Sequence, residues 1–545
     1  MISAPNRRVR PWLWLSPLEW AGITGLLALG IWTRATGFSA YDLWFDDAWA
    51  ALPAKVPLST ANHMVTTTPA YSLALREWLQ LSPGSTAWAQ VPSFVAGLAG
   101  IVAIFALLRY FAFRQPLPWL GALLVAVGPI TSTYSTRVKE YAADLLVACA
   151  LLYLAEQWRR QPSVKRSIAI TSVSSLGLLL SAQTLLVTAG VGVLLVVAAL
   201  IEPHRRRQVA GILGGIALTG LFGEVLWFRH IVPQLKLNWK AKGYMLDLSS
   251  LHAAYFSIVH MLAGLGHGLT GLPIPFSFIG GEVLAGSVVL AAITGLVLVL
   301  ILFRPIWQTV KQFRQLPGPL FAAAVIVIGA FGGAIIGATP LGGGRTDEVL
   351  YPAIILLLAG ALQPLVDRAF TSETKLRHVR AALTAVLVAV LGSYGLTHQS
   401  VYPDLDLKGV VAQLGTSLQP GDAIIVDGYA SFTWANNDEA PWAVSFHQGG
   451  IVWPMGFHVV SRDPRTTMSN EYLQPDRQVM RVLRTKHRLW YVGVTIGASS
   501  PNAPAGLLNF PLSTPTKLAI ETHGWKPTIY QLRATHCFAI LYTHQ

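Results

Sequence analysis

The sequence predicts a mainly α protein: a polytopic transmembrane helical bundle with a smaller C-terminal α/β domain. Three observations predict it. Of 545 residues, 53% are hydrophobic and only 12% charged, against roughly 25% charged in soluble domains, and the mean hydropathy is +0.50. The apolar residues gather in runs of bilayer length, with cations in short clusters between them. After Ser400 the runs shorten, and Asp, Asn, Trp and His appear.

A span needs about 20 apolar residues, which gives about eleven candidates. They lie near 17–36, 88–109, 117–134, 139–156, 167–182, 184–201, 209–229, 281–303, 319–338, 348–366 and 380–397. With the N-terminus cytoplasmic, the inner segments hold Arg7, Arg8 and Arg10; Arg109 and Arg114; Arg159, Arg160, Lys165 and Arg166; Arg205, Arg206 and Arg207; Arg304, Lys311 and Arg314; and Lys375, Arg377 and Arg380. The positive-inside rule requires this placement. The outer loops are longer and carry Asp46, Asp47, Glu77, Asp247, Asp347 and Glu348. Fusing 167–201 into one bent span would break the alternation after residue 202. The expected protein is therefore a multi-pass plasma (inner) membrane protein with its C-terminal domain extracytoplasmic. The net charge of +14 follows from the inner clusters, so lipid bilayer and not nucleic acid is the expected partner. The first apolar run has no small-residue cleavage site and reads as a retained span. Cys149 lies in an apolar run and Cys537 near the C-terminus, so no disulfide is expected.

The domain boundary falls at 400, giving a membrane domain over 1–400 and an α/β domain over 401–545. "DAIIVDG" (422–428) and "RLWYVGV" (488–494) read as buried strands bounded by turn residues. "QPDRQVMRVLRTKH" (474–487) reads as a helix between them, and the tail as one or two further strands.

Four polar clusters stand out. The first outer loop, 37–87, is too long for a connector and contains Asp46-Asp47, His63, "TTTPAY" (66–71) and Arg76. Asp46 suits a helix N-cap; adjacent acids point in different directions, so one can cap while the other faces a cavity. In "TYSTRVKEYAADLL" (133–146), read as a helix, Glu140 and Asp144, and Arg137 and Tyr141, are i, i+4 pairs. Lys139 either pairs with Asp144 or, with Arg137, meets an anionic head group. In "TPLGGGRTDEVLYP" (339–352) Arg345 is the lone base beside three glycines; it either binds a ligand or ties the loop by a local ion pair. In the outer loop 230–280, His267 is a ligand, a base or simply a hydrogen-bonded side chain. No phosphate-binding P-loop, dinucleotide fingerprint, HExxH, CxxC or G-x-S-x-G is present, which argues against a nucleotide-driven transporter and a soluble-type hydrolase.

The order of these segments carries a resemblance. A basic N-terminus and one span lead to "LWFDDAWAAL", a Thr/Pro segment, "QVPSFVAGLAG" and "YSTRVKEYAADLLVACALL". This resembles the GT-C membrane glycosyltransferases that use polyprenyl-phosphate sugars, in the protein-mannosyltransferase and aminoarabinose-transferase group. Where that family has an Asp-Glu pair, this chain has Asp46-Asp47. Only Pro69 remains of a His-Pro-Pro-like segment. Gln90-Val91-Pro92-Ser93 stands at an Arg-Leu-Pro-Ser-like turn, and Tyr134-Ser135, Lys139 and Tyr141 match the opening of the fourth span, with Asp144 one turn on.

The resemblance implies a sugar transfer from a polyprenyl-phosphate donor to a hydroxyl of an envelope glycan, lipid or protein acceptor. It implies inversion at the anomeric carbon, with Asp46 as general base and Asp47 orienting the acceptor or sharing that work. Arg137, Lys139 and Arg345 would face the donor phosphate; His63, Tyr141, Asp144 and His267 would contact substrate. No metal is expected as a requirement, although two adjacent acids leave a divalent cation open. The doubled Asp also resembles GT-C arabinofuranosyltransferases, so pentose and hexose both stand. The alternatives are a polymerase or ligase of polyprenyl-linked polysaccharide and a lipid-linked-sugar transporter or flippase. The first would place its reactive Arg and His in a late outer loop; the second would line a path through the bundle with charge.

Overall fold

The structure, a computed structural model, describes residues 16–38 except 36, 42–56 except 44, 67–82, 85–223, 245–270, 296, 297, 299, 300 and 318–369 except 342–344. In the C-terminal region it describes 406–427, 430–434 except 432, 443–445, 458–460, 463–468, 477–494, 515–534 and 537–544. The expected spans 281–303 and 380–397 lie almost wholly outside these residues.

The helices are α1 (Pro17–Ala35), α2 (Phe45–Lys55), α3 (Pro69–Gln80), α4 (Thr86–Tyr110), α5 (Leu117–Val127), α6 (Pro129–Tyr134), α7 (Tyr141–Arg160), α8 (Val164–Leu180), α9 (Thr184–Ile201), α10 (Arg206–Gly223), α11 (Leu251–Thr270), α12 (Pro319–Ile335) and α13 (Tyr351–Ala369). A 3-10 segment, Arg345–Leu350, leads into α13. The chain then gives α14 (Leu407–Ser417), β1 (Ala423–Val426), β2 (Ala443–Ser445), β3 (His458–Val460), β4 (Thr466–Met468), α15 (Arg477–Thr485), β5 (Arg488–Val494), α16 (Pro515–Thr522), β6 (Trp525–Ala534) and β7 (Cys537–His544). These fall into two compact units, one of residues 1–37, 92–136 and 140–400 and one of 38–91, 137–139 and 401–545. The second unit thus takes in the first outer loop, which the sequence boundary at 400 leaves with the spans.

The first unit is the helical one. Among the described residues, Thr86–Tyr110, Thr184–Ile201 and Asp347–Asp367 are long and apolar enough to cross a membrane, and α5, α12 and part of α11 are shorter apolar helices. Buried Ile101, Ile104, Leu123, Leu151, Val191 and Leu356 share one core, while Leu18, Trp32, Leu200 and Leu218 point outward, each more than 60% exposed. Helices apolar on both sides suit hydrocarbon outside as well as protein inside. Helix α1 opens with a reciprocal cap: Glu19 N–H donates to Ser16 Oγ at 3.2 Å and Ser16 N–H to Glu19 Oε2 at 2.9 Å.

The expected fifth and sixth spans are separate helices, with Ser181 in extended backbone between them. The expected third span is broken at Gly128, where backbone turns away between α5 and α6. Pro129 is the cause, because it disfavours helical backbone at the residue before it. The break frees carbonyls of α5, and Arg34 collects them: its guanidinium donates to Ala126 O at 2.9 Å and Val125 O at 3.0 Å. Helix α11 falls where the sequence suggested an outer loop.

The second unit carries a five-stranded sheet in the order β4-β1-β5-β7-β6; β4, β1 and β5 run parallel, and β7 and β6 join antiparallel. Strands β2 and β3 form a separate antiparallel pair. The uninterrupted apolar runs of β1 and β5 follow from burial on both faces. Ala423, Ile425, Leu489 and Tyr491 pack with Val479, Leu483 and Ile520 of α15 and α16. The alternate residues Ile424, Val426, Trp490 and Val492 pack with Leu407, Val410 and Leu414 of α14, and also with Leu43, Ala48, Trp49 and Leu52 of the first outer loop. Trp434 also packs against this second face.

A Cβ on Gly97 of α4 would collide with the Ser135 side chain, whereas one on Gly25 of α1 meets nothing within 4 Å. Gly97→Ala is therefore expected to cost about 1–3 kcal/mol by overpacking and Gly25→Ala to cost nothing, read as thermal unfolding midpoints of the full chain in detergent.

Candidate active site

Helix α2 carries the adjacent acids Asp46 and Asp47 of the first outer loop. Its C-terminal end holds Pro53, and Arg76 of α3 donates to the carbonyls of Ala54 at 3.1 Å and Pro53 at 3.3 Å. Lys55, the last residue of α2, is pushed down to about 8 by loss of hydration and then by the Lys408 ammonium, although the residue reaches solvent.

Asp47 is fully buried. Its Oδ2 stands 3.1 Å from Arg137 Nε, and its Oδ1 accepts the Val138 N–H at 3.0 Å. Arg137 and Lys139 are 4% and 5% exposed, and Lys139 Nζ lies 5.2 Å from the centre of the Trp49 ring. A buried cation needs compensation of this kind, from a carboxylate or an aromatic face. One turn of α2 therefore holds both basic residues of 137–139.

This corrects the helical expectation for 133–146. Residues 135–140 are turns and bends, and α7 begins at Tyr141. The amide of Val138 goes to Asp47, ninety-one residues away in sequence, and the Lys139 amide turns back to Arg137 O at 2.9 Å. Arg137 and Tyr141 are thus not neighbours on a helix, while the Asp144 amide still reaches Glu140 O at 3.3 Å.

In the first unit, Asp144 is buried and its Oδ2 accepts from Ser181 Oγ at 2.8 Å. Tyr141 is half-buried and meets Tyr134 edge-on, ring centres 5.4 Å apart. Arg345 begins the 3-10 segment that packs against α6, α7, α9 and α13, and His267 lies on α11; the side chains of both, that of Asp46 on α2, and all of His63 lie outside the described residues. Among the described residues no three His, Cys, Asp or Glu side chains are grouped to hold a metal ion.

Sequence reasoning passed over two groups, Arg34 and Asp42. Arg34 is fully buried in α1 and gives its guanidinium to the carbonyls of α5. A charged residue within an apolar run was the available signal for Arg34. Asp42, also fully buried, accepts the Lys408 N–H at 2.9 Å; nothing local in the sequence marks it.

No family model matches the sequence, and no curated protein matches it. Solved structures do. The crystal structure of ArnT from Cupriavidus metallidurans in the apo state aligns over 96% of this chain and 98% of that one, with a TM-score of 0.52 and 12% identity. The same protein bound to undecaprenyl phosphate aligns over the same shares at 0.50 and 12%. A cryo-EM structure of the arabinofuranosyltransferase AftD from Mycobacteria aligns over 97% of this chain and 42% of that one, at 0.41 and 13%. The chain has the fold of ArnT. At the level of class, it is a membrane protein built on that fold.

Removing one member of the buried pair takes from the other its opposite charge. Arg137→Met is expected to destabilise the second unit by about 3–5 kcal/mol, and the double variant Asp47→Asn/Arg137→Met by less. A double-variant cycle of thermal unfolding in detergent measures the difference.

Proposed function

We propose that the chain is a glycosyltransferase that moves a sugar from a polyprenyl-phosphate donor to a hydroxyl of an envelope glycan, lipid or protein on the extracytoplasmic face of a bacterial inner membrane. The observation that carries this reading is the pinned segment 137–139, two desolvated cations held by the helix that bears Asp46. That a protein of this fold has been seen with undecaprenyl phosphate bound supports a lipid phosphate as their counter-ion. The eleven spans, the inside N-terminus and the outside C-terminal region belong to the same proposal.

In the proposed step the acceptor oxygen bonds to the anomeric carbon as the bond from that carbon to the phosphate oxygen breaks. The electron pair leaves on the lipid phosphate, which Arg137 and Lys139 stabilise. The acceptor proton passes to the Asp46 carboxylate. Asp47 is committed to Arg137 and Val138, so its part is to aim the cation. Arg345 is proposed as a third cation for the donor, and His63, Tyr141, Asp144 and His267 as substrate contacts. One displacement inverts the anomeric configuration.

The test uses the purified full chain in detergent, polyprenyl-phosphate pentose and hexose donors, and separate binding of undecaprenyl phosphate. Asp46→Asn is expected to lower turnover by about a hundredfold or more with binding kept. Asp47→Asn is expected to weaken undecaprenyl phosphate binding as well. Full transfer by both variants would overturn the proposal.

A further inference from the structure

We infer that Asp42 is a positioning residue: it latches the loop that carries Asp46 and Asp47 to the N-terminus of α14, so that α14 helps to set where Asp46 stands. The inference rests on the reading of Asp46 given above.

Four observations within the second unit carry it. The Asp42 side chain is fully buried, and its Oδ2 accepts the backbone N–H of Lys408, in the first turn of α14, at 2.9 Å. That helix already has its own cap, since the Asp406 side chain accepts the Gly409 N–H at 2.7 Å. Two carboxylates therefore meet one helix N-terminus, where unpaired amides and the aligned peptide dipoles favour negative charge. The next residue is tied elsewhere: Leu43 O accepts from the buried Thr433 hydroxyl, beyond β1, at 3.1 Å. Residues 42 and 43 thus fix the chain immediately before α2 begins at Phe45. Finally, Leu43, Ala48, Trp49 and Leu52 complete the apolar cover on one face of the sheet.

The Lys408 ammonium contributes little. It stands 3.6 Å from Asp42 Oδ1 on a side chain 52% exposed, where solvent screens the attraction. The amide carries the contact, because a hydrogen bond to a fully buried carboxylate is not readily replaced by one to water. This separates the latch from an ordinary salt bridge and ranks the variants.

Hydrogen exchange on the full chain in detergent reads the latch directly. In Asp42→Ala, amides of 45–56 and 407–410 are expected to exchange about tenfold faster or more, with 184–201 unchanged. Asp42→Asn, which keeps an acceptor oxygen, should fall between, and Lys408→Met should match the wild type. Transfer assays on the same proteins should show turnover falling in that order while the KM for the polyprenyl-phosphate donor stays near its wild-type value. Unchanged exchange at 45–56 in Asp42→Ala overturns the inference, and so does Lys408→Met behaving like Asp42→Ala. If Asp42→Ala unfolds outright, the ranking of the other two decides. If the wild type transfers no sugar, or Asp46→Asn transfers normally, the functional reading fails while exchange still decides the latch.

Discussion

Two opposite charges taken out of water, on Asp47 and Arg137, fix the geometry that the proposed chemistry needs. Such a pair is a weak source of stability, because removing both charges from solvent costs about what their attraction returns. Its value is directional. The carboxylate takes Arg137 Nε on one oxygen and the Val138 amide on the other, so segment 137–139 has one orientation against α2. Lys139, set over Trp49, is fixed by the same arrangement. A cation that must meet a leaving phosphate gains most when it is oriented beforehand and does not reorganise during the reaction.

The first unit solves a different problem with similar means. Hydrocarbon offers no partner to a freed carbonyl, so a break in an apolar helix must be repaired from within the protein. The kink at Gly128-Pro129 frees the ends of α5, and Arg34 supplies the donors. The sequence near Arg34 looks like an ordinary span interrupted by a charge; the structure gives that charge its task.

The strands were legible. Unbroken apolar runs in β1 and β5 state burial on both faces, and the alternation of Ile424 and Val426 with Ala423 and Ile425 divides them between two layers. The helices were legible where apolar length decides them. Segment 135–140 was not, because its conformation depends on a hydrogen bond from a residue ninety-one positions earlier, and helical spacing carries no trace of that. The pairing of Asp47 with Arg137 escaped for the same reason, although each residue could be singled out by its chemistry alone. The boundary at residue 400 followed a real change in composition. Composition, however, does not reveal that Leu43, Ala48 and Leu52 cover a sheet whose strands begin beyond residue 420.

That shared apolar layer bears on how such proteins are recombined. A chimera that exchanges everything after residue 400 for the equivalent of a distant homologue would strip one side of its sheet of matching partners. The exchangeable cassette is discontinuous, and residues 38–91 and 137–139 must travel with residues 401–545. Drift in either stretch is therefore answerable to the other, across more than three hundred positions of intervening chain.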